Sequence, residues 1–147
     1  MTPMAAELHL RIVTPDRTIV DRKVAGVAFA GVDGSYGILP HHAPLLTAIG
    51  QSGTATITEL DGKSNALFVS DGFAQVQHNV LTLVCEAGEF AHEIDMERVK
   101  AAEAKAREKL AGLDRLSEEF LKAEASLRKA LARETLARRG SGTGGLA

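Results

Sequence analysis

Between Phe29 and Leu46 the chain reads Phe-Ala-Gly-Val-Asp-Gly-Ser-Tyr-Gly-Ile-Leu-Pro-His-His-Ala-Pro-Leu-Leu, and no other stretch limits the fold so sharply. Gly31, Gly34, Gly37, Pro40 and Pro44 punctuate a few turns of backbone, with His41 and His42 side by side. Glycine opens backbone angles that other residues resist, while proline fixes its own φ and restricts the residue before it. Such a run predicts a rigid, shaped surface loop held between strands.

Strand signals stand on both sides of it. Leu8, Leu10 and Ile12 alternate with His9 and Arg11, the period of a half-buried strand. Thr14-Pro15-Asp16-Arg17 reads as a turn, followed by strands over 18–21 and 24–30. Beyond the loop, strands are expected over 45–49, 54–60 and 65–70, the last two joined by the Asp61-Gly62 hairpin signal. A further hairpin over 73–77 and 80–86 turns at His78-Asn79. Many short strands with no helical stretch between them predict an antiparallel β-sandwich or flattened barrel.

Two sharper readings of this region lose to plainer ones. The glycines form neither G-x-G-x-x-G nor G-x-x-x-x-G-K-[ST], and they run into Ile38-Leu39-Pro40 instead of a helix N-terminus, so a phosphate cradle lacks its basis. Adjacent His41 and His42 point to opposite faces of an extended segment. A metal enzyme drawing on them with Asp33, His78 and His92 is the weaker alternative to structural loop histidines. No metal is expected. Cys85, in the apolar run Val80-Leu81-Thr82-Leu83-Val84-Cys85, reads as a buried structural thiol, and a lone cysteine fits a reducing compartment.

Charge and composition divide the chain. Through Ile94 there are five basic and ten acidic residues, and beyond it twelve and nine, so a net −5 becomes +3. Gly, Val and Thr give way there to Ala, Glu, Lys and Arg. A net charge of −2, no Trp and one Tyr argue against general nucleic-acid or membrane-surface binding. No signal-peptide core and no bilayer-length apolar run is present.

In the second module Asp95 reads as the cap of a helix whose apolar face carries Val99, Ala102, Ala106 and Leu110, and Gly112 ends it. Asp114 or Ser117 caps a second helix reaching about Arg138 or Arg139. Leu113, Leu116, Phe120, Ala123, Leu127, Ala130 and Leu131 form its stripe, which predicts an antiparallel hairpin with the first helix. Alanine supplies few of the methylenes worth about 0.8 kcal/mol each when buried, so the helices should form readily and hold each other weakly. If opened, the second helix is a rod bearing Lys122, Arg128, Lys129, Arg133, Arg138 and Arg139, suited to an acidic protein surface. The expected division is a sandwich over 1–90, a hairpin over 91–139 and a flexible tail over 140–147.

From Leu8 to Arg139 this order resembles the epsilon subunit of F-type ATP synthase. Gly34-Ser35-Tyr36-Gly37-Ile38-Leu39-Pro40-His41-His42-Ala43-Pro44-Leu45-Leu46 is similar to that family's G-x-x-G-I-L-P-x-H-A-P-L-L. Ser70-Asp71-Gly72-Phe73-Ala74-Gln75-Val76 resembles its G-G-[FIL]-x-E-V, with departures at Ser70, Asp71 and Gln75. Ile94-Asp95-Met96-Glu97-Arg98-Val99 is similar to its I-D-x-x-R-A, with Val99 in place of alanine.

The resemblance implies a non-catalytic rotor subunit in the central stalk, coupling proton flow to ATP synthesis. Its implied partners are the gamma subunit, the membrane c-ring and the alpha/beta catalytic head, at the cytoplasmic face of a bacterial inner membrane. Ser35, Tyr36, His41 and His42 become candidates for the c-ring, and the basic second helix for inhibition of ATP hydrolysis. Regulatory ATP is implied in some relatives. By position this offers Ile94, Asp95, Arg98, Val99, Lys105 and Arg128, with Lys105 standing where arginine is expected and lacking its bidentate fork. The competing class is a free-standing binding module that uses a helix in a groove.

Overall fold

The computed structural model describes residues 6–50 and 53–142, with side chains described as far as Arg138. The chain divides into two compact units, Met1–Phe90 and Ala91–Ala147.

The first unit holds eight strands: β1 (Leu8–Val13), β2 (Thr18–Val24), β3 (Gly26–Gly31), β4 (Gly34–Ile38), β5 (Leu45–Ile49), β6 (Gly53–Thr58), β7 (Ser64–Gln77) and β8 (Val80–Phe90). They pair in the order β2-β1-β8-β7-β5-β3-β4, and β6 closes the sandwich by pairing with both β3 and β7. One pair departs from the antiparallel expectation, because β1 runs parallel to β8. Leu8, Leu10 and Ile12 of β1 are fully buried and join Ile57, Leu67, Val69, Leu81 and Leu83 in one core. Alternate residues of each strand enter that core, as the period-two pattern requires.

β7 is one strand of fourteen residues where the sequence suggests two. Its first half pairs with β6 (Gly53↔Val69) and its second with β5 (Ile49↔Gly72), while β8 follows it from Leu67 to Gln77. The change of partner falls at Asp71, whose φ of 51° is left-handed and whose N–H donates to the Gly50 carbonyl at 3.1 Å. The turn-like Asp71-Gly72 pair is thus a bend inside a continuous ladder. Ser70 is fully buried there, and its hydroxyl donates to Asp71 Oδ2 at 2.9 Å.

The Gly-Pro stretch also differs from a single loop. Gly34–Ile38 is β4, paired antiparallel with β3 from Val27↔Ile38 to Gly31↔Gly34. Val32 and Asp33 make a two-residue turn, and Gly34, with φ of 141°, opens β4 opposite Gly31. Loop remains only between Ile38 and Leu45.

Across the first unit, Arg22 on β2 donates from Nε and Nη2 to the two carboxylate oxygens of Glu59 at 2.9 and 2.8 Å, and Asn65 adds a third donor. The Arg22 hydrogen bond holds the Glu59 carboxyl below the usual carboxylate range, against the opposing effect of burial. A depressed carboxylate contributes stability above its unfolded pKa and loses it as pH falls through the folded value. Glu59→Gln should therefore lower stability by about 0.5–1 kcal/mol at pH 7. Paired urea titrations should show that gap closing below about pH 4.

In the second unit a 3₁₀ turn (Ala91–Glu93) precedes α1 (Met96–Ala111) and α2 (Glu118–Gly142). Asp95 Oδ1 accepts from the N–H groups of Glu97 and Arg98, as expected of a cap. Ser117 caps α2 by accepting from the Phe120 N–H at 3.1 Å, while Asp114 organises the turn before it. The two helices pack on each other, and their buried residues are Val99, Ala106, Ala123, Ala130 and Leu136. Leu116 does not join that stripe. It precedes the first helical turn of α2 and is 91% exposed. α2 also runs on through Gly142, past the expected end at 138–139, since glycine costs a helix only about 1 kcal/mol and no proline stops it. The expected tail beyond Gly142 lies outside the described residues.

Candidate docking surface

Apolar side chains on neighbouring strands share a face when their backbones are in register. In the sheet β5-β7-β8-β1, Ala48 pairs with Phe73, Phe73 with Val84, and Val84 with Val13. One row away, Leu46 pairs with Gln75 and Gln75 with Thr82. Leu46, Phe73 and Val84 are 70%, 60% and 51% exposed on this outer face. A sandwich needs only its inner face apolar, so large side chains standing outward together mark an interaction surface. The signal was present as adjacent apolar pairs, Leu45-Leu46, Phe73-Ala74 and Leu83-Val84, which break strict alternation.

The residues singled out in the Gly-Pro stretch fall at two ends of β4. At the first end, Tyr36 stacks on Phe29 with ring centroids 5.4 Å apart, and its hydroxyl donates to the Asp33 carboxylate at 2.8 Å. That bond braces the β3–β4 tip, where Val32 and Ser35 are exposed. At the other end, the His42 N–H donates to the Leu39 carbonyl at 3.2 Å and closes a turn with Pro40 and His41 at its corner. His42 Nδ1 lies 2.6 Å from the Ala43 carbonyl, so that nitrogen carries a proton. His41 follows Ser35 by six positions, up to about 20 Å of extended chain. Among the described residues no three His, Cys, Asp or Glu side chains gather as a metal site. Cys85 is buried with Sγ 3.7 Å from the Val13 carbonyl, and desolvation pushes its thiol up to about 11. It is a packing residue, not a nucleophile.

On the helical unit, an open groove of about 940 Å³ lies between α1 and α2, with Lys105, Lys109, Lys122, Glu108 and Glu119 around Ala106 and Ala123. Of the six positions offered for ATP, only Lys105 lines it. Asp95 Oδ1 is engaged by its own helix, Val99 is buried, and Arg128 lies 3.7 Å from Glu124. The basic face of α2 is interleaved with acids: Lys122 meets Glu118, Arg128 meets Glu124, and Arg138 meets Glu134, each one turn back. Lys129 and Arg133 are half-buried, and the Arg139 side chain lies outside the described residues.

Residues 7–91 match the family described as ATP synthase, Delta/Epsilon chain, beta-sandwich domain. The chain is 37% identical over 130 residues to the ATP synthase epsilon chain of Nitratidesulfovibrio vulgaris (strain DP4), covering 88% of this chain and 95% of that one. The chain belongs to the ATP synthase epsilon chain family. A second epsilon chain, from Caldanaerobacter subterraneus subsp. tengcongensis, is 37% identical over 134 residues, covering 91% of this chain and 96% of that one. Among solved structures, a chain of the Euglena gracilis mitochondrial ATP synthase OSCP/F1/c-ring assembly superposes with a TM-score of 0.76 at 22% identity. It covers 91% of this chain and 83% of its own length, and at that identity the likeness speaks to the fold.

Within this epsilon-family chain the motif residues have separate mechanical parts. Gly34–Ile38 builds an edge strand, Leu39–His42 a tight turn, and Leu45-Leu46 the start of the strand that carries the outward patch. Asp71-Gly72 bends β7 between its two partners.

Proposed function

We propose that this epsilon-family chain is a non-catalytic rotor subunit of the central stalk, whose sandwich grips the gamma subunit while its helical unit restrains ATP hydrolysis. The outward patch of Leu46, Phe73 and Val84, spread over two adjacent rows, carries the reading: it is an apolar surface of the kind that a permanent partner covers. His42 lies on the connection leading into Leu46 and belongs to the same contact. The c-ring is assigned to the β3–β4 tip, through Ser35, Tyr36 and the exposed Val32, because a contact that transmits torque needs a braced tip. His41, at the far end of β4, sits with the gamma side. No described helix is long and apolar enough to cross a membrane, and the proposed membrane association runs through the complex, at the cytoplasmic face.

A tagged chain co-expressed with the gamma, alpha and beta subunits tests this. Gamma should be retained in equal amount, and should stay bound when alpha and beta are omitted. A chain that elutes alone would overturn the reading and favour a free-standing module.

For the helices, the alanine-rich buried set favours an α1–α2 pair that separates without losing either helix. Lys122, Arg128, Lys129, Arg133, Arg138 and Arg139 would then meet the alpha/beta head, with Lys122, Arg128 and Arg138 exchanging their one-turn glutamate partners. The Lys122 and Arg128 pairs are largely exposed and weak, roughly 0.5 kcal/mol each, so their exchange is cheap, while Glu134 is partly buried beside Arg138. A disulfide engineered across the α1–α2 pair should raise ATP hydrolysis by the purified complex, and reduction should reverse it. Unchanged hydrolysis would remove the inhibitory role.

A further inference from the structure

Asn79 joins three parts of the chain that are remote in sequence. Its backbone carbonyl accepts from the His9 N–H at 3.2 Å. Its side-chain Oδ1 accepts from the His41 N–H at 2.8 Å, and its Nδ2 donates to the Glu7 carbonyl at 2.8 Å. Asn79 and His78 form the β7–β8 turn with φ of 61° and 51°, and asparagine tolerates that left-handed conformation better than other non-glycine residues. The side chain is therefore held at the start of β1 and beside the turn after β4 at once.

The receiving residue needs the support. His41 has φ of 64° at the third position of the Leu39–His42 turn, a place that suits glycine. Among the described residues, the bond to Asn79 is the one hydrogen bond tying residues 40–44 to another segment. Without it the connection rests on its two prolines, one turn bond and the local contact of His42 Nδ1 with the Ala43 carbonyl.

We propose that Asn79 is a positioning residue for the docking end of the sandwich. By holding the His41 N–H against the start of β1, it sets the path from Pro40 into β5, and so the presentation of His42 and Leu46 to the partner. The partner's identity rests on the rotor reading above, while the tie itself does not.

Asn79→Gly keeps the left-handed turn and removes both side-chain bonds, and Asn79→Asp keeps the acceptor for His41 alone. Gly62→Ala supplies a stability-matched control at the opposite end of β7, where φ is 88° and a side chain is strained. Two readouts apply to the full-length chain: hydrogen exchange at the His41 amide, and Kd for purified gamma subunit. Asn79→Gly should accelerate His41 exchange and weaken gamma binding by about tenfold each. Asn79→Asp should retain His41 protection and bind within about threefold of wild type. Gly62→Ala should lower Tm and leave both readouts alone. Wild-type affinity in Asn79→Gly, or an equal loss in Gly62→Ala, would overturn the proposal with the rotor reading intact. A wild-type chain that does not bind gamma would overturn the rotor reading and the docking role together, and His41 exchange would still report on the tie.

Discussion

Gly72→Ala should unfold the sandwich or cost it at least about 3 kcal/mol, the upper end of what overpacking produces. A Cβ on Gly72 would sit 1.8 Å from the Val84 carbonyl oxygen and 2.8 Å from the Cys85 Cα. Both are backbone atoms of the facing strand, so no rotamer change relieves the clash. Gly72 pairs with Cys85 on β8 and with Ile49 on β5, directly after the left-handed Asp71. Moving β8 away would break the ladder that joins it to β7 from Leu67 to Gln77. Urea denaturation of the isolated chain measures the effect. Gly88→Ala is a useful contrast, because its Cβ would meet the end of the Ile19 side chain, which can rotate. Near-wild-type stability in Gly72→Ala would mean that β7 and β8 part more easily at the bend than their pairing implies.

The second large effect is on assembly. Phe73→Asp should weaken gamma binding by about 100-fold or more, as loss of a central aromatic anchor does. Phe73 is 60% exposed and lies between Ala48 and Val84 in the outward row. Its removal leaves the inner core untouched, so the isolated chain should lose no more than about 1 kcal/mol. A charge set in that row must be desolvated when a partner covers it. Calorimetric titration with gamma, alongside a thermal melt, separates the two quantities. Parallel losses of Tm and affinity would make Phe73 a folding residue instead.

Much of the architecture was legible because it follows from local pattern. Leu8, Leu10 and Ile12 alternate, Asp61-Gly62 turns a hairpin, and Asp95 caps a helix that buries Val99 and Ala106, each readable from a few neighbouring residues, although the expected inward Ala102 is exposed. The misreadings share a cause. Asp71-Gly72 looks like a turn, yet long-range pairing to β8 carries the strand through it. Leu116 continues a three-four spacing, but Ser117 captures the helix start one residue later and leaves Leu116 in solvent. Gly34–Ile38 looks like loop until β3 is placed beside it. At the docking surface, adjacent apolar pairs such as Leu83-Val84 carried a signal, although nothing local says which of the two faces outward.

What the sequence determined by itself was the family, the two-unit order and the inward face of the first strand. Phase and capping are short-range properties, and the Gly-Pro motif is specific enough to carry the resemblance. What the Phe29–Leu46 stretch becomes was left to the tertiary structure. Half of it is an edge strand braced by Tyr36 on Phe29. The other half is a turn whose left-handed His41 is tied to Asn79, 38 residues away, while the same Asn79 side chain reaches back 72 residues to Glu7. A short-range pattern cannot encode a bond whose partners meet only after the sandwich has closed.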